Sequence, residues 1–358
     1  MSSHSPRAAS SASSPPSYSA SEAAQGDQQH QRRDRTKKKK KKSEEELSPE
    51  ALLRSRARIG LREAYGSAIG DIEAKGIPVR LRQHVNPLRK DFQIPTPAPE
   101  WERVYANPLR PLVVDVGCGP GRLLLKLAAN EMAAAQEAQK VEEGADVVDT
   151  RRNFLGLEIR QPIVQRAVQW SEKLGLASTT HFLLSNATVS IGALLASYPG
   201  EVSLVCVQFP DPHFKRRHRK RRIVQPSFVD DLRKHMRSGS AVYLSSDVHE
   251  VAEAMRETFE RDGGDAFELD TNVHDEAAAR IRDGSGDAIV LDDEWVARRS
   301  TEGEQTCYRE DGRVFQSEWR KRPGEAWLLE NPLGVPTERE VLTTKAALPV
   351  YRALLRRL

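Results

Sequence analysis

Apolar and polar residues along the middle of the chain form blocks of two kinds. Short apolar runs, typical of buried strands, are separated by longer stretches in which apolar residues recur at helical spacing. The runs predict strands at 112–116, 153–159, 181–184, 202–209 and 240–245, and the stretches predict helices at 122–138, 161–174, 227–236 and 248–262. Strands that alternate with helices predict an α/β domain whose parallel sheet is covered by helices on both faces. Ligands of such sheets bind at the carboxyl ends of the strands.

The same pattern divides the chain into five regions. Residues 1–50 are Ser-rich and then charged, cannot bury apolar surface, and are predicted to be a disordered tail. Residues 51–108 form a lead-in with a helix near 49–65 and a proline-containing connection, and residues 109–262 form the α/β core. Residues 263–326 are predicted to be an acidic insertion. Residues 327–358 are predicted to complete the domain with a C-terminal helix that is interrupted near Pro349.

Charge is unevenly distributed over the 358 residues, 38% of which are hydrophobic. The formal net charge is +4, and the first 50 residues hold ten Lys and Arg against seven Asp and Glu. Because the rest is nearly neutral, any polyanion site must be a local patch. The three cysteines are too far apart in sequence to indicate a metal motif or a disulfide framework, and no apolar run approaches the length of a membrane span.

The tail leaves the compartment open. Its Ser-rich, acid-poor start is typical of an organelle transit peptide, whereas the lysine block 37–42 is typical of a nuclear or nucleic-acid-binding tract. A passive tail fits equally well. Plastid, nucleus and cytoplasm therefore all stay possible.

Asp211 and the residues after it form the most informative stretch. Asp211 stands between two prolines directly after the predicted strand 202–209, and seven cations follow at 215–222, where His218 alone interrupts them. This order predicts a rigid carboxylate at the end of a buried strand, beside a surface that holds phosphates. The alternatives are a turn aspartate and a solvated basic face. His213 and His218 lack the Cys or paired acid spacing of a metal site, so no metal is predicted.

A glycine loop follows the first strand. It reads Asp115-Val-Gly117-Cys-Gly119-Pro-Gly121 and opens a helix, so that a ligand can approach the backbone closely. A dinucleotide fingerprint needs a third glycine one position later, where Arg122 stands, and a P-loop needs Gly-Lys-Ser/Thr. The loop resembles instead the first motif of S-adenosylmethionine-dependent methyltransferases.

Two further strand ends carry polar residues. Glu158 ends the second predicted strand, where an acid is the expected acceptor for ribose hydroxyls, although a surface Glu at a helix start is the alternative. Asn186 follows the third predicted strand. Its side chain can bond either an adenine edge or a flanking backbone group, and alone it would be an ordinary turn residue.

Together these motifs resemble the tRNA (guanine-N7)-methyltransferases, in their plant, plastid and cyanobacterial branch. The matching stretches, in family order, are 82–88, 115–121, 156–160, 185–187, 209–222, 246–247 and 330–340. The resemblance covers roughly 78–262 and 327–358, and its most specific part is Phe-Pro-Asp-Pro-x-x-Lys-x-x-His-x-Lys-Arg-Arg. It implies a Rossmann-like class I methyltransferase fold, doubly wound around a mostly parallel seven-stranded sheet.

The resemblance also implies roles for individual residues. Asp211 would be the catalytic acid for methylation of N7 of guanine 46 in the tRNA variable loop. The S-adenosylmethionine pocket would be lined by Asp115, Gly117, Glu158, Arg160, Asn186, Ala187 and Gln208. The tRNA or its target guanine would be held by Lys215, Asp247, Thr337 and Glu340, the last two belonging to the motif 337–340.

The chain departs from the family at two positions. Asn186 stands where bacterial members often carry Asp, and Arg339 stands where an aromatic usually precedes the motif's glutamate; its guanidinium plane can still stack on a base. The resemblance favours an enzyme that acts without an obligatory protein partner, with a β-propeller subunit as the alternative. Two other functions stay open, a methyltransferase of another substrate and a non-catalytic RNA-binding subunit.

Overall fold

The computed structural model describes residues 59–66, 69, 85–141, 149, 151–270, 327–328, 330–346 and 348–358. All of these lie in one compact unit, Leu47–Leu358. The predicted tail and most of the predicted insertion, from residue 271 onward, fall outside the described residues. Among the described residues no helix is long and apolar enough to cross a membrane.

The described residues form one seven-stranded sheet and the helices that cover it. The strands are β1 (Leu112–Val116), β2 (Asn153–Glu158), β3 (Thr180–Leu184), β4 (Val202–Gln208), β5 (Ala241–Ser246), β6 (Phe267–Leu269) and β7 (Tyr351–Arg357). The helices are α1 (Trp101–Val104), α2 (Arg122–Val141), α3 (Gln161–Lys173), α4 (Ala187–Ser197), α5 (Pro226–His235), α6 (His249–Asp262) and α7 (Glu338–Lys345). Short 3₁₀ helices span Lys90–Gln93, Arg216–Arg221 and Gly264–Ala266, and residues 59–66 are also helical.

Strand order explains where a ligand can bind. The order is β3-β2-β1-β4-β5-β7-β6; β1 to β5 pair in parallel, and β7 runs antiparallel to β5 and β6. The chain reverses its direction of winding between β1 and β4, and ligands of doubly wound sheets bind at such a switch point. The order and the antiparallel β7 confirm the predicted Rossmann-like class I methyltransferase fold.

The side chains of β1 alternate between the two faces of the sheet and so contribute to two separate hydrophobic cores. Leu112, Val114 and Val116 face one side of the sheet, where they pack with α4, α5 and α6, and Val113 faces the other side with α2 and α3. The second core also contains Tyr65 of the helical lead-in, whose hydroxyl donates to the carbonyl of Pro336 at 2.7 Å.

Three elements differ from the sequence prediction. The helix predicted after Pro349 is wrong, because β7 occupies those residues and pairs with both β5 and β6. Its Leu-Leu-Arg-Arg favours a helix locally, but insertion between two strands overrides that preference. Strand β6 lies inside the range predicted as an insertion, so the sheet extends beyond residue 262. Helix α4 was not predicted, although its buried residues recur at helical spacing after an Asn cap.

Candidate active site

The glycine loop between β1 and α2 has the backbone that its sequence predicts. Gly117, Gly119 and Gly121 all have positive φ, at 81°, 53° and 76°. A Cβ on Gly117 or Gly119 would meet no atom within 4 Å, so the space over the loop is open, whereas a Cβ on Gly121 would lie 2.3 Å from the ring of Phe182. The loop therefore opens toward a ligand on one side and packs against β3 on the other.

One pocket collects most of the predicted cofactor residues. It has an empty volume of about 870 Å³ that is open to solvent. Its lining includes the predicted residues Gly117, Glu158, Arg160, Asn186, Ala187, Gln208 and Asp211. These side chains come from the ends of β1, β2, β3 and β4, which meet at the switch point.

Of two buried acids near this pocket, Glu158 lines it and Asp115 lies beside it. Asp115, in β1, does not line it but is 4% exposed, and burial raises its pKa to about 7; Gln208 offsets part of this rise and Glu158 adds to it. Glu158 is 3% exposed and accepts bonds from the backbone N (2.9 Å) and Nε (3.0 Å) of Arg160. The guanidinium pKa is raised, mainly by Glu158 and to a smaller extent by Asp211. Arg160 therefore lies within the electrostatic field of Glu158 and Asp211.

Asn186 is fully engaged with the protein. Its Oδ1 accepts from the backbone N and the hydroxyl of Thr188, at 3.2 and 2.8 Å, and so caps α4. Its Nδ2 donates to the carbonyls of Phe92 (2.9 Å) and Pro87 (3.3 Å). Of the two possibilities left by the sequence, the structure shows the bond to flanking backbone. A contact of Asn186 with adenine stays a prediction.

Asp211 lies at the mouth of the same pocket as the glycine loop, with an exposed side chain. The residues on either side of the Pro-Asp-Pro sequence, Phe209 and His213, have φ values of 47° and 45°, in the left-handed region that non-glycine residues rarely adopt. Such backbone is kept where the surroundings impose it, often at functional sites. The backbone N of Phe209 donates to the carbonyl of Ser245 at 2.8 Å, which fastens the loop to β5.

The basic tract is a short 3₁₀ helix with two kinds of cation. Arg222 is largely buried; its Nε donates to the carbonyl of Pro212 at 2.9 Å, and Nη2 reaches Glu250 at 3.3 Å. Lys215, Arg217 and Lys220 are exposed. Arg222 therefore holds the Asp211 loop, whereas the exposed cations face solvent, where phosphates can reach them.

The C-terminal motif is held by contacts that the sequence did not reveal. Thr337 and Glu340 form a capping box at the start of α7. Glu340 is 3% exposed, and its Oε1 accepts from Nε (3.0 Å) and Nη2 (2.6 Å) of Arg352 in β7. Its Oε2 accepts from Nδ2 of Asn331 at 2.7 Å. Glu340 thus fixes α7 on the sheet, and direct contact of Thr337 or Glu340 with tRNA stays a prediction.

Arg339 links the two predicted substrate segments. Its Nε donates to Asp247, at the end of β5, at 3.0 Å, and its own side chain is 56% exposed. The position where the family usually has an aromatic thus carries a cation that pairs with another predicted substrate residue. Lys215, Asp247 and Thr337 do not line the pocket itself.

Sequence reasoning missed two features around the pocket. Arg122, the first residue of α2, is 2% exposed, lies over the ring of Trp170 and pairs with Glu338 of α7 at 2.6 Å, so it joins the glycine loop to the C-terminal motif. Residues 85–96, which we call the strap, cross the ends of β3 and α4 and contribute Val85 and Pro87 to the pocket. Both rest on contacts distant in sequence, which local patterns do not show.

S-adenosylmethionine fits this pocket on three observations. Gly117 leaves open space where a side chain would stand. Glu158 offers a buried carboxylate at the position expected for ribose hydroxyls. The hydroxyl of Ser185 is buried without a hydrogen-bond partner in the described part of the chain, so a polar ligand would satisfy it. Within that same part no cluster of His, Cys, Asp or Glu is suited to a metal ion.

The fold and this site define an S-adenosylmethionine-dependent methyltransferase. A family model described as "Putative methyltransferase" matches residues 147–283. The tRNA (guanine-N(7)-)-methyltransferase of Synechococcus sp. (strain JA-2-3B'a(2-13)) is 38% identical over 79% of this chain and 87% of its own. The enzyme of the same name from Trichormus variabilis is 37% identical over 78% and 97%. The chain belongs to the tRNA (guanine-N7)-methyltransferase family.

Solved structures resemble the chain more distantly. A methyltransferase from Clostridium acetobutylicum matches at 10% identity and a TM-score of 0.26 over 38% of this chain and 43% of its own. An O-methyltransferase from Thermotoga maritima matches at 14% identity and a TM-score of 0.31 over 57% and 58%. The fold assignment rests on strand order.

Proposed function

We propose that this protein transfers the methyl group of S-adenosylmethionine to N7 of guanine 46 in the variable loop of tRNA, with Asp211 beside the reacting base. One observation carries the proposal: Asp211 and the glycine loop line a single pocket, although 90 or more residues separate them. The family supplies the donor and the class of acceptor. The geometry supports a role for Asp211 at the point where the methyl donor and the tRNA base would meet.

The chemistry needs little from the protein beyond placement and charge. The bound donor supplies a methyl group on a positively charged sulfur. The N7 lone pair would form the new bond to the methyl carbon, and the electrons of the broken sulfur–methyl bond would return to sulfur. Because N7 carries no proton, no base is needed before attack. Positive charge appears on the purine, and a fixed carboxylate at Asp211 stabilises it while the pocket holds the atoms in line.

The basic tract supports tRNA as the acceptor. Its exposed cations lie directly after the Asp211 loop, so phosphates bound there would place a nucleotide near the carboxylate. Such contacts give affinity and register, while the flipped-out base is selected inside the pocket. Binding through them should weaken steeply with salt.

We further infer that the protein works without an obligatory protein partner. The buried pair Glu340–Arg352, together with the bond from buried Arg122 to the partly exposed Glu338, fixes the C-terminal motif within the chain itself. Purified chain alone should therefore turn over. Activity that appears only after a second subunit from a cell extract is added would contradict this inference.

The function is tested by mass spectrometry of nucleosides from unmethylated tRNA after incubation with protein and S-adenosylmethionine. We expect 7-methylguanosine, and its loss when the target tRNA carries adenine at position 46. In a parallel incubation with labelled S-adenosylmethionine and a protein extract in place of tRNA, methylation of protein would support a different substrate instead. Tight tRNA binding without turnover would support a non-catalytic subunit.

A further inference from the structure

We propose that Asn186 is a positioning residue that holds the strap, residues 85–96, as the outer wall of the cofactor pocket. This inference rests on the proposed function for the identity of the cofactor. It assigns to Asn186 a role through the strap, distinct from a contact with adenine.

The hydrogen-bonding capacity of Asn186 is used up. A primary amide has two N–H donors and one oxygen with two lone pairs. The two donors meet the carbonyls of Pro87 and Phe92, and the oxygen meets two groups of Thr188. Because Asn186 is 8% exposed and all four bonds are already made, a hydrogen bond to a ligand would require Asn186 to give up one of them.

The strap is built to be held from this point. Gln93 donates from Nε2 to the Pro87 carbonyl at 2.7 Å, and Arg89 pairs with Asp91 at 2.7 Å and lies over the ring of Phe92. These contacts make 87–93 a compact turn, so a tether at Pro87 and Phe92 fixes the whole turn. A second tether, from the backbone N of Thr96 to the hydroxyl of Ser190 (3.0 Å), fastens the far end.

The held turn places apolar surface over the pocket. Val85 and Pro87 line the pocket together with Gly117 and Glu158, which lie at the carboxyl ends of β1 and β2. The strap therefore supplies a wall that the β-strand ends do not. Moving it away would widen the pocket and expose a bound nucleoside to water, so cofactor affinity should depend on Asn186 even without direct contact.

Two substitutions separate the tether from the helix cap. Both Asn186→Ser and Asn186→Asp keep a side-chain acceptor suited to the start of α4. The first removes both donors to the strap, and the second replaces them by an oxygen that faces two carbonyls. Ser190→Ala is the matched control, because it removes the two hydrogen bonds of the Ser190 hydroxyl with Thr96, at the end of the strap away from Val85 and Pro87.

The experiment measures two quantities on the full chain: hydrogen exchange of residues 85–96 without cofactor, and the Kd for S-adenosylmethionine by calorimetry. For Asn186→Ser we expect faster exchange at the backbone amides of Arg89 and Phe92 and roughly tenfold weaker binding, with a larger loss for Asn186→Asp. Ser190→Ala should speed exchange near Thr96 and change Kd less than about twofold. Thermal unfolding followed by circular dichroism checks that each variant is folded.

Two results would overturn the proposal. Weaker cofactor binding with unchanged exchange of the strap would mean that Asn186 contacts the cofactor directly. Faster exchange with unchanged Kd would mean that the strap is not a wall of the site. If the wild-type chain did not bind S-adenosylmethionine at all, the proposed function and the wall would both fail, whereas the exchange data would still decide whether Asn186 tethers the strap.

Discussion

The two halves of the candidate site are built differently. The proposed cofactor half, at the ends of β1, β2 and β3, consists of buried groups such as Asp115, Glu158 and Asn186, each held within a few residues of a strand end. The proposed substrate half, at the ends of β4 and β5 and the start of α7, exposes Asp211, Lys215 and the side chain of Arg339. The first half is arranged before any ligand arrives. The second keeps much of its charge in water, where a polyanion can reach it.

Because of this difference, the binding of the cofactor and the binding of tRNA should differ in their entropic cost. Buried, hydrogen-bonded groups lose little freedom when a small cofactor binds, so their geometry is preorganised. Exposed arginines and lysines lose side-chain freedom when they bind phosphates, and the release of counterions compensates. Cofactor binding should therefore respond to substitutions at strand ends and little to salt, and tRNA binding should behave in the opposite way.

The largest expected effect is the loss of methyl-transfer rate when Asp211, the residue of the substrate half proposed to lie beside the reacting base, is replaced. Asp211→Ala should lower the rate of methyl transfer by roughly 10³-fold, because no fixed carboxylate then faces the charge that develops on guanine. Cofactor affinity should change less than about threefold, since Asp211 lies at the pocket mouth. Single-turnover formation of 7-methylguanosine and calorimetric binding measure the two quantities.

Asp211→Asn serves as the control that keeps the side chain's size and its ability to accept a hydrogen bond. It should lose nearly as much rate as the alanine variant. A variant at 211 with wild-type turnover would show that this carboxylate is a turn residue.

The next effect compares two charged pairs on α7. Glu340→Gln keeps the capping box but removes one charge of a buried pair, and should lower the free energy of unfolding by about 3 kcal/mol. Asp247→Asn breaks a pair whose arginine is 56% exposed, and should cost less than about 1 kcal/mol. Urea unfolding measures both. If Glu340→Gln left stability unchanged but raised KM for tRNA, the glutamate would belong to the substrate rather than to the scaffold.

The cofactor half was predictable because its signals are local. The glycine loop and Asn186 come just after strands, Glu158 ends one, and parallel strands bring their carboxyl ends to one edge. The sequence therefore indicated that Gly117, Glu158 and Asn186 line one pocket, although Asp115, which was predicted with them, does not line it. It did not indicate that Asn186 donates both of its side-chain N–H groups to the carbonyls of Pro87 and Phe92, because these hydrogen bonds join positions 94 or more residues apart.

The contacts that hold the substrate half in place were not predictable either, because they also join residues that are far apart in the sequence. Glu340 pairs with Arg352 because β7 inserts between β5 and β6, and the local sequence of β7 favours a helix. Arg122 and Glu338 meet although 216 residues separate them. Tertiary packing decides such pairs, and one sequence contains no periodicity that reports them.

Asp115 allows a test of the cofactor half through the pH dependence of the free energy of unfolding. Folding raises its pKa from 3.8 to about 7, mainly by burial, so between these values the native state holds a proton that the unfolded state releases. This group's contribution to stability therefore falls as pH rises through that window and levels off above about 7. Asp115→Asn should remove a loss on the order of 4 kcal/mol between pH 4 and pH 8 in the cofactor-free protein.

The measurement is urea unfolding of wild type and Asp115→Asn at several pH values, with the difference between the two curves as the readout. Parallel curves would mean that Asp115 ionises normally and that the strand end is wetter than its burial indicates.

The smallest effect separates two cations of the basic tract. Arg217→Gln removes an exposed charge, so tRNA affinity should fall a few-fold and the slope of log affinity against log salt should decrease by somewhat less than one, with kcat retained. Arg222→Gln removes a charge that binds the Pro212 carbonyl and Glu250. It should leave the salt slope nearly unchanged and lower kcat, because the Asp211 loop loses its anchor. Filter binding at several salt concentrations and steady-state kinetics distinguish the two. If Arg222→Gln changed the slope as much as Arg217→Gln does, the tract would be a uniform phosphate surface, and the Asp211 loop would have to be fixed by its backbone alone.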